Sequence, residues 1–250
     1  MKDASHCALD YSVVIPAYNE ESYLPLTIDR LKKAMAAISE KSGELIVVDN
    51  QSTDSTSALA KRLHVRLVAE KVRGIARARN AGAQVARGKH LFFVDADTLV
   101  DEGVLRKSLE YLSSGQVGAG GAVLSFDQTQ GRLLFGVLFP KMWNFISRSL
   151  KLAAGSFVFC RRDLFEECNG FPQNLYAGEE IFFSRAVKRL CRKKGISFEI
   201  VSDYPVITSS RKLLWHSNLR ITANLLLLVL FPFAVRFRSL CGFWYHRPES

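Results

Sequence analysis

Two aspartates, Asp95 and Asp97, follow directly on a run of large apolar residues in the stretch LFFVDADTLV, residues 91–100. Like charges this close repel, so solvent, a basic side chain or a metal ion has to compensate them. Residues i and i+2 at the end of a strand point to the same side, so both carboxylates can address one ion or ligand. Carboxylate oxygens suit Mg²⁺ or Mn²⁺, which in turn bind phosphate oxygens. The alternative is that Asp97 caps the helix predicted to begin near Asp101.

Acidic and polar residues also follow two earlier predicted strands. The sequence PAYNEE, residues 16–21, comes after the first strand, and DNQSTD, residues 49–54, comes after the second. The carboxyl ends of parallel strands form one rim of a sheet, and ligands bind outside that rim. Carboxylates that meet there raise each other's pKa unless cations or hydrogen-bond donors are present. The sequence therefore predicts a ligand site at this rim, with helix capping as the alternative role for Asp49 and Asp54.

Alternating strands and helices would position these residues. We predict strands over residues 11–17, 44–50, 65–69, 90–94, 117–126, 156–160 and 197–201. We predict helices over residues 20–38, 57–63, 74–86, 101–112, 133–150 and 179–190. This alternation indicates an α/β fold with right-handed crossovers and a mostly parallel central sheet flanked by helices. There is no P-loop, and no GxGxxG follows the first strand, so we expect neither of those nucleotide sites.

The composition is that of a globular protein, with 48% apolar and 23% charged residues in a chain of 250. The formal charge of +10 indicates a polyanionic partner, either nucleic acid, an anionic membrane surface or a phosphorylated substrate. The five cysteines are odd in number and lack CxxC spacing, which favours a reducing compartment. The first ten residues lack an apolar h-region, so we expect no signal peptide and a cytoplasmic location.

The uncharged segment ITANLLLLVLFPFAV, residues 221–235, allows three interpretations. It can pack on the core or against another subunit, lie in a membrane interface, or span a bilayer. A span is disfavoured because the segment is shorter than the roughly 20 residues that a bilayer needs, and because Pro232 interrupts it. Arg236 and Arg238 follow the segment and could meet anionic lipid headgroups.

Several of these motifs together resemble the inverting family 2 glycosyltransferases of GT-A fold. The motifs are PAYNEE, VVDNQSTDST, RGIARARNAGAQVARGK and FFVDAD, and the resemblance covers about residues 11–190. It implies a GT-A domain over residues 1–208, with a nucleotide-binding half (11–114) and an acceptor-side half (115–208). Residues 209–250 would form a basic and apolar C-terminal helical extension.

The resemblance also implies a donor site and a metal site. The donor-nucleotide site would consist of Pro16, Ala17, Tyr18, Glu20, Asp49, Ser52, Arg73, Arg77, Asp95 and Ala96. Within it, Asp49 would accept a hydrogen bond from the base and Asp95 would bind the ribose. Asp97 would hold Mg²⁺ or Mn²⁺ against the diphosphate, and His216 could complete the metal shell. Arg77 could contact the diphosphate or belong to a solvated helix face.

The acceptor side resembles the family more loosely, through GSFVFCRRDLFEECNGFPQNLYAGEE, residues 155–180. By position in that motif, Glu180 is the expected catalytic base and Glu179 the second candidate. The alternative is an ordinary acidic first turn of a helix, which the helix dipole favours. The family usually carries Glu-Asp at this point, so the present Glu-Glu pair leaves the choice between the two open.

The activity implied is metal-dependent transfer of a sugar, with inversion, from a UDP- or GDP-sugar to an acceptor hydroxyl or a lipid phosphate. The other classes considered are a nucleotidyltransferase and a non-catalytic nucleotide-sugar-binding or membrane-associated scaffold. The acceptor stays open, with a lipid-linked molecule as one choice. We expect peripheral association with an anionic membrane surface at its cytoplasmic face, and no nucleic-acid partner.

Overall fold

A computed structural model describes residues 9–128, 133–211, 215, 217–219, 221–223, 227 and 231–241. The strands are β1 (Leu9–Ala17), β2 (Gly43–Asp49), β3 (Arg66–Ala69), β4 (Gly88–Val94), β5 (Thr98–Leu99), β6 (Val117–Phe126), β7 (Phe157–Arg161) and β8 (Ser197–Thr208). The α-helices are α1 (Leu24–Ala36), α2 (Thr56–Arg62), α3 (Ile75–Val85), α4 (Glu102–Ser113), α5 (Phe139–Leu150), α6 (Arg162–Glu167) and α7 (Glu179–Lys193). A π-helical turn, Leu133–Leu138, precedes α5, and two short 3₁₀ helices span Pro232–Arg236 and Arg238–Cys241.

The described strands form a single sheet in the order β3-β2-β1-β4-β7-β6-β8-β5. Strand β1 lies parallel to β2 and β4, β2 is parallel to β3, and β6 is parallel to β8. Strand β7 runs antiparallel between β4 and β6, and β5 is antiparallel to β8. The α/β fold with a mostly parallel sheet is therefore confirmed.

Helices cover both faces of the sheet, which explains the unbroken apolar runs in β1 and β4. Successive side chains of a strand point to opposite faces. Val13 and Ile15 accordingly join the core under α1 and α4, whereas Val14 joins the core under α3 and α7. Phe92 and Phe93 of β4 divide between the two cores in the same way. Both cores end at the carboxyl rim, so the residues that follow the strands are held by rigid elements.

Helix α3 packs unusually close to the sheet because it carries Gly82 at the contact. A Cβ atom at this position would lie 2.3 Å from Cγ1 of Val14 and 2.9 Å from Cγ2 of Val48. Both neighbours are buried strand residues, so neither can move aside easily. This close contact sets the rotation of α3 about its axis. Arg79, one turn earlier, is thereby turned into the protein interior.

Several boundaries differ from the predicted ones for local reasons. The helix predicted from residue 20 begins at Leu24, since Pro25 suits a first turn. The strand predicted over 197–201 continues to Thr208, because it pairs with the end of β6 and with β5. Strand β5 and helix α6 were not predicted. Each is very short, so neither has a periodic pattern long enough to recognise.

The predicted C-terminal helical extension, residues 209–250, lies only partly among the described residues. Of the part that is described, Val235 and Cys241 pack with Leu175 and Ala177. The backbone N–H of Tyr176 also donates to the carbonyl of Val235 at 2.7 Å. The C-terminal region therefore packs on the loop that leads into α7. In the described part of the chain, every helix is too short or too polar to cross a bilayer.

Candidate active site

Five carboxylates gather around two buried arginines at the carboxyl rim of the sheet. Three of them follow strands: Glu20 comes after β1, and Asp95 and Asp97 come after β4. The other two, Glu179 and Glu180, form the first turn of α7. The structure thus brings together acids from both halves of the predicted domain. This clustering confirms that charged residues meet at the rim and raises the question of how they are compensated.

Arg79 of α3 compensates one acid from each half. Its side chain is 1% exposed. Its Nη2 atom lies 2.8 Å from Oδ1 of Asp95, and its Nη1 atom lies 2.7 Å from Oε1 of Glu179. Nη2 also donates to the backbone carbonyl of Gly155 at 2.9 Å. Burial works to lower the pKa of Arg79, but the charges of the surrounding acids outweigh it and raise that pKa. Arg79 is therefore a permanently charged bridge between the two halves.

Glu180 is placed differently from Glu179. Gly178 precedes the pair with a φ of 70°, a left-handed conformation that glycine adopts readily, and α7 starts directly after it. Glu179 faces Arg79, whereas Glu180 forms no ion pair among the described residues. Burial, followed by the charge of Glu179, raises the pKa of Glu180 to about 8. A carboxyl group with this pKa is protonated in most molecules at pH 7, and its ionised form is a stronger base than an ordinary carboxylate.

Arg211, which follows β8, compensates the other two acids. Its Nη2 atom lies 2.6 Å from Oε1 of Glu20 and 2.9 Å from Oδ2 of Asp97. Its guanidinium carbon also lies 4.4 Å from the centre of the Tyr23 ring. Burial lowers the pKa of Arg211, and the hydrogen bond to Glu20 together with the charge of Asp97 more than reverses that effect. In this structure each aspartate of the DAD sequence is therefore compensated by its own arginine.

The loop after β2 is held by its own hydrogen bonds. Asp49 accepts from the Ser57 hydroxyl at 2.8 Å and from the backbone N–H of Ser52 at 3.2 Å. The hydroxyl of Ser52 in turn accepts from the backbone N–H of Asn19 at 3.0 Å. Asp54 accepts from the backbone N–H of Thr56 at 2.9 Å and from that of Glu21 at 3.1 Å, whereas Ser55 is the N-cap residue of α2. The contact predicted between Asp49 and a nucleotide base stays a prediction.

Arg73 and Tyr18 lie face to face beside this loop. The guanidinium carbon of Arg73 is 3.2 Å from the centre of the Tyr18 ring, which is a cation–π contact. Asn50 fixes the segment that carries Arg73 by donating to the carbonyl of Val72 at 2.8 Å and accepting from the N–H of Gly74 at 2.8 Å. Two residues predicted to bind the donor, from separate loops, are thus in direct contact.

The remaining predicted residues lie at varied distances from the acids. Pro16 and Ala17 form the last two positions of β1, next to the rim. The carbonyl of Ala96 is held by the hydroxyl of Thr27 at 2.8 Å. Arg77 instead lines a separate surface cleft of about 310 Å³ with Glu70 and Gln84. Arg77 is two residues from Arg79 and so points to another side of α3, and its predicted diphosphate contact stays a prediction. The predicted ligand His216 lies outside the described residues.

Three site residues were missed by the sequence analysis: Arg79, Asn50 and Ser156. Arg79 belongs to the quoted motif RGIARARNAG, but only its neighbour Arg77 was selected. Alanines surround both arginines, so local sequence does not separate them. Ser156 is buried beside Asp95, and the backbone N–H of Asp95 donates to the carbonyl of Ser156 at 3.2 Å. The hydroxyl of Ser156 has no hydrogen-bond partner among the described residues. Gly155, which precedes Ser156, was the sequence signal that the backbone comes close to other side chains here.

The rim suits a divalent ion that is bound together with a diphosphate. Among the described residues, no three His, Cys, Asp or Glu side chains gather closely enough to form a metal site by themselves. Mg²⁺ is commonly held by one or two carboxylates, with substrate phosphates and water as the other ligands. Asp97 supplies such a carboxylate, with Oδ2 facing Arg211. The donor set therefore fits an ion that arrives with its nucleotide.

The sheet order and the acids at its carboxyl rim agree with the GT-A fold that the motifs implied, and comparison with known proteins gives the family. Residues 12–168 match the family described as Glycosyl transferase family 2. This stretch is more than half of the 250-residue chain. The chain therefore belongs to glycosyltransferase family 2, as the motifs indicated. The alternative of a nucleotidyltransferase is set aside.

Individual relatives share moderate sequence identity with the chain. Glycosyltransferase AglE of Haloferax volcanii is 24% identical over 78% of this chain and 66% of its own length. The dolichyl-phosphate β-glucosyltransferase of Drosophila melanogaster is 37% identical over 36% of this chain and 31% of its own length. Glycosyltransferase GlyA of Streptococcus pneumoniae is matched over only 18% of its length. The chain thus spans less than two thirds of the length of these curated relatives.

Solved structures support the fold. The mannosyltransferase PcManGT of Pyrobaculum calidifontis, in complex with GDP-Man and Mn²⁺, superposes with a TM-score of 0.68 at 22% identity. That match covers 97% of this chain and 72% of PcManGT. S. aureus TarS in complex with UDP gives a TM-score of 0.61 at 19% identity, over 80% of this chain and 60% of TarS. The GT-A fold is therefore confirmed.

Proposed function

We propose that the chain transfers a sugar from a UDP- or GDP-sugar to an acceptor hydroxyl or lipid phosphate, with inversion at the anomeric carbon. The observation that carries this proposal is the unequal environment of Glu179 and Glu180. Arg79 neutralises Glu179 at 2.7 Å, whereas Glu180 keeps a raised pKa and no ion pair among the described residues. Only one of the two carboxylates is therefore suited to take a proton from the acceptor.

The donor would lie against the ends of β1, β2 and β4. Tyr18 and Arg73 offer an aromatic ring and a cation to a nucleotide, and Asp95 offers a carboxylate oxygen to a ribose hydroxyl. These groups come from three loops, each anchored by hydrogen bonds to a neighbouring loop. The solved relatives hold different nucleotides, UDP in TarS and GDP-Man in PcManGT, so either base is a candidate for this chain.

The diphosphate would be stabilised from two sides. Asp97 would hold Mg²⁺ or Mn²⁺, which when bound supplies positive charge to the leaving diphosphate as a Lewis acid. Arg211 stands 2.9 Å from the same carboxylate and can donate its remaining N–H groups to phosphate oxygens. If both Arg211 and the metal ion contact the diphosphate, the position of Arg211 beside the proposed metal ligand Asp97 is explained.

The acceptor would approach from the side of α7. Gly155 brings the backbone near both key side chains, since a Cβ atom there would lie 3.1 Å from Nη2 of Arg79 and 3.7 Å from Cδ of Glu180. With Arg79 holding Glu179 and Asp95, Glu180 is left to deprotonate the acceptor as it attacks. A single carboxylate is sufficient for an in-line displacement, which inverts the anomeric centre. A lipid-linked acceptor and peripheral membrane association are part of the same proposal.

Donor binding is tested by calorimetric titration of UDP and GDP, each with and without Mn²⁺. We expect one nucleotide to bind more tightly with Mn²⁺, and Asp97→Asn to abolish that difference. Asp101→Asn, an exposed acid of the same loop region, is the matched control and should behave as the wild type. Failure of both nucleotides to bind in the presence of Mn²⁺ would refute the donor assignment.

The base is tested by comparing Glu180→Gln with Glu179→Gln. We expect Glu180→Gln to lower the transfer rate by about 10²–10⁴-fold at unchanged nucleotide affinity. Glu179→Gln should act mainly on stability, because it breaks an ion pair. NMR of the product with an α-linked donor should show a β-linkage. Retained transfer in Glu180→Gln, or an α-linked product, contradicts the proposed mechanism.

A further inference from the structure

Helix α5 turns large apolar side chains outward. Those at its start and along one side are among the most exposed apolar residues of the described chain. They are Leu138 at 47%, Met142 at 53%, Phe145 at 65% and Leu150 at 56% exposed. The first three recur at intervals of four and three residues, so they lie on one face. An ordinary surface helix places such a face against the core, and α5 does the opposite.

Polar contacts hold α5 in this orientation. Its buried residues are Pro140 and Ser147 rather than large apolar ones. Asn144 donates to the carbonyl of Leu124 at 2.8 Å and accepts from the backbone N–H of Leu124 at 2.9 Å, which ties the helix to β6. The hydroxyl of Ser147 donates to the carbonyl of Leu152 at 2.7 Å. Rotating the apolar face inward would break all three bonds, so the outward face is built into the structure.

The same part of the chain is basic and free of acids. Between Asp127 and Asp163 the sequence contains no aspartate or glutamate. Its basic residues are Arg132, Lys141, Arg148, Lys151, Arg161 and Arg162. Lys141 and Arg148 are exposed on α5 and flank Phe145 at spacings of four and three residues. An apolar face with only positive charge beside it fits an anionic partner.

We propose that α5 docks the protein on an anionic lipid bilayer. Leu138, Met142 and Phe145 would enter the boundary between headgroups and acyl chains, while Lys141 and Arg148 would contact anionic headgroups. A second copy of the chain is a poorer occupant. A two-fold interface would bring Lys141 and Arg148 of α5 close to the same residues of the second copy, where like charges repel.

This surface adjoins segments that enter the active site. Five residues after α5, Gly155 contacts Arg79 through its carbonyl. A second group of exposed aromatic residues, Phe231, Phe233 and Phe237, belongs to the C-terminal region that packs on the loop before α7. An acceptor anchored in the bilayer would thus be delivered near Glu180. The docking names the surface for the peripheral membrane association of the proposed function, and the delivery of the acceptor rests on the proposed transfer activity.

Vesicle co-sedimentation of the full chain tests the docking. The vesicles are phosphatidylcholine alone and phosphatidylcholine mixed with phosphatidylglycerol. We expect binding to the mixed vesicles, and a loss of at least about tenfold in the double variant Met142→Ser, Phe145→Ser. Leu26→Ser, which removes a leucine that is 52% exposed on α1, is the matched control and should bind as the wild type.

The charge contribution is tested by Lys141→Gln with Arg148→Gln, which should weaken binding roughly fivefold per charge. Lys61→Gln with Lys89→Gln changes the net charge equally at exposed positions elsewhere and should have a smaller effect.

The docking proposal is overturned if the wild type does not bind the mixed vesicles, or if the α5 variants bind as well as their controls. It is also overturned if light scattering shows a dimer that the Met142→Ser, Phe145→Ser variant converts to a monomer. Nucleotide titration of that variant should match the wild type, which separates a failure of docking from a failure of the proposed function.

Discussion

Arg79 and Arg211 each neutralise two carboxylates at the same rim, but with different geometry. Arg79 gives a separate nitrogen to each acid and a further hydrogen bond to a backbone carbonyl. Arg211 makes both of its ion pairs through the one atom Nη2. Separate nitrogens use the planar fork of the guanidinium group fully, whereas a shared nitrogen leaves much of that fork unused.

The two arginines also join different parts of the molecule. Arg79 lies on α3, within residues 11–114, and links Asp95 of the same part of the chain to Glu179 of α7. Arg211 follows the last strand and links the C-terminal region to Glu20 and Asp97 of the donor side. The comparison indicates that Arg79 is an architectural bridge. Arg211 is the cation better able to change partners when a diphosphate binds.

Arg79→Met should have the largest effect on stability. It leaves the buried carboxylate of Glu179 and the partly exposed carboxylate of Asp95 without a cation, and we expect a cost of about 3–5 kcal/mol of unfolding free energy. Urea denaturation followed by circular dichroism measures this cost. Arg79→Lys keeps the charge but not the fork and should lose less, because a lysine can still approach one acid. A loss in Arg79→Met no larger than that in Arg211→Met would remove the basis of the comparison.

Gly82→Ala should act on Arg79 from a distance. The added methyl group meets Val14 at 2.3 Å, so α3 has to move away from the sheet. We expect a cost of about 1–3 kcal/mol in unfolding free energy, together with weakened transfer activity as Arg79 shifts. Gln84→Ala, an exposed substitution on the same helix, is the control and should be neutral. Wild-type stability and activity in Gly82→Ala would show that α3 tolerates a different position.

Arg211→Met should lower the free energy of unfolding less than Arg79→Met does. Its stability should also depend more on bound Mn²⁺ and nucleotide. We expect a loss of about 1–2 kcal/mol, because both of its ion pairs use one nitrogen and the Arg211 side chain is less completely buried than that of Arg79. Mn²⁺ with nucleotide should restore part of this loss, as the proposed ion would take over the charge beside Asp97. Thermal unfolding with and without Mn²⁺ and UDP or GDP measures both effects. No difference between Arg79→Met and Arg211→Met in this rescue would argue against partner exchange.

The smallest expected effect concerns Glu180 and pH. Its pKa is raised from 4.5 to about 8, so the folded state keeps this proton to higher pH than the unfolded chain does. The resulting contribution to stability is fully present below pH 4.5 and is lost as the pH rises through about 8. Glu180→Gln, which cannot ionise, should therefore gain stability relative to the wild type as the pH rises from about 5 to about 8. Parallel stability curves for the two proteins between pH 5 and 9 would contradict the raised pKa.

Much of the first half of the fold could be predicted because its signals are local. The strand predicted over 44–50 is observed as Gly43–Asp49, and the one over 90–94 as Gly88–Val94. Apolar runs followed by acids mark both. The antiparallel insertion of β7 between β4 and β6 carries no such signal, because strand direction depends on pairing with residues far away in the chain.

The motifs predicted which acids belong to the candidate site, but they did not predict which arginine pairs with each acid. Asp95, Asp97, Glu179 and Glu180 all lie where the motifs placed them, at the rim and at the start of α7. The partner of each acid depends on the rotation of α3 and on where the chain runs after β8. Neither is encoded within a window of neighbouring residues, which is why Arg79 escaped selection.

For α5 too, the sequence predicted the helix but not its orientation on the protein. The apolar character of residues 133–150 was evident in the sequence, and a helix was predicted there. Which side of the helix meets the core was decided by the hydrogen bonds of Asn144 with Leu124.

The sequence by itself determined the strand–helix alternation, the acids at the strand ends and the family, because each of these is written in consecutive residues. Only the tertiary structure decided that Arg79 bridges the two halves, that Glu180 rather than Glu179 lacks an ion pair among the described residues, and that α5 faces outward. These outcomes depend on contacts between segments that are 16 to 100 residues apart in the chain. Close packing at Gly82 and burial of charge select one arrangement among many that the same local sequence permits.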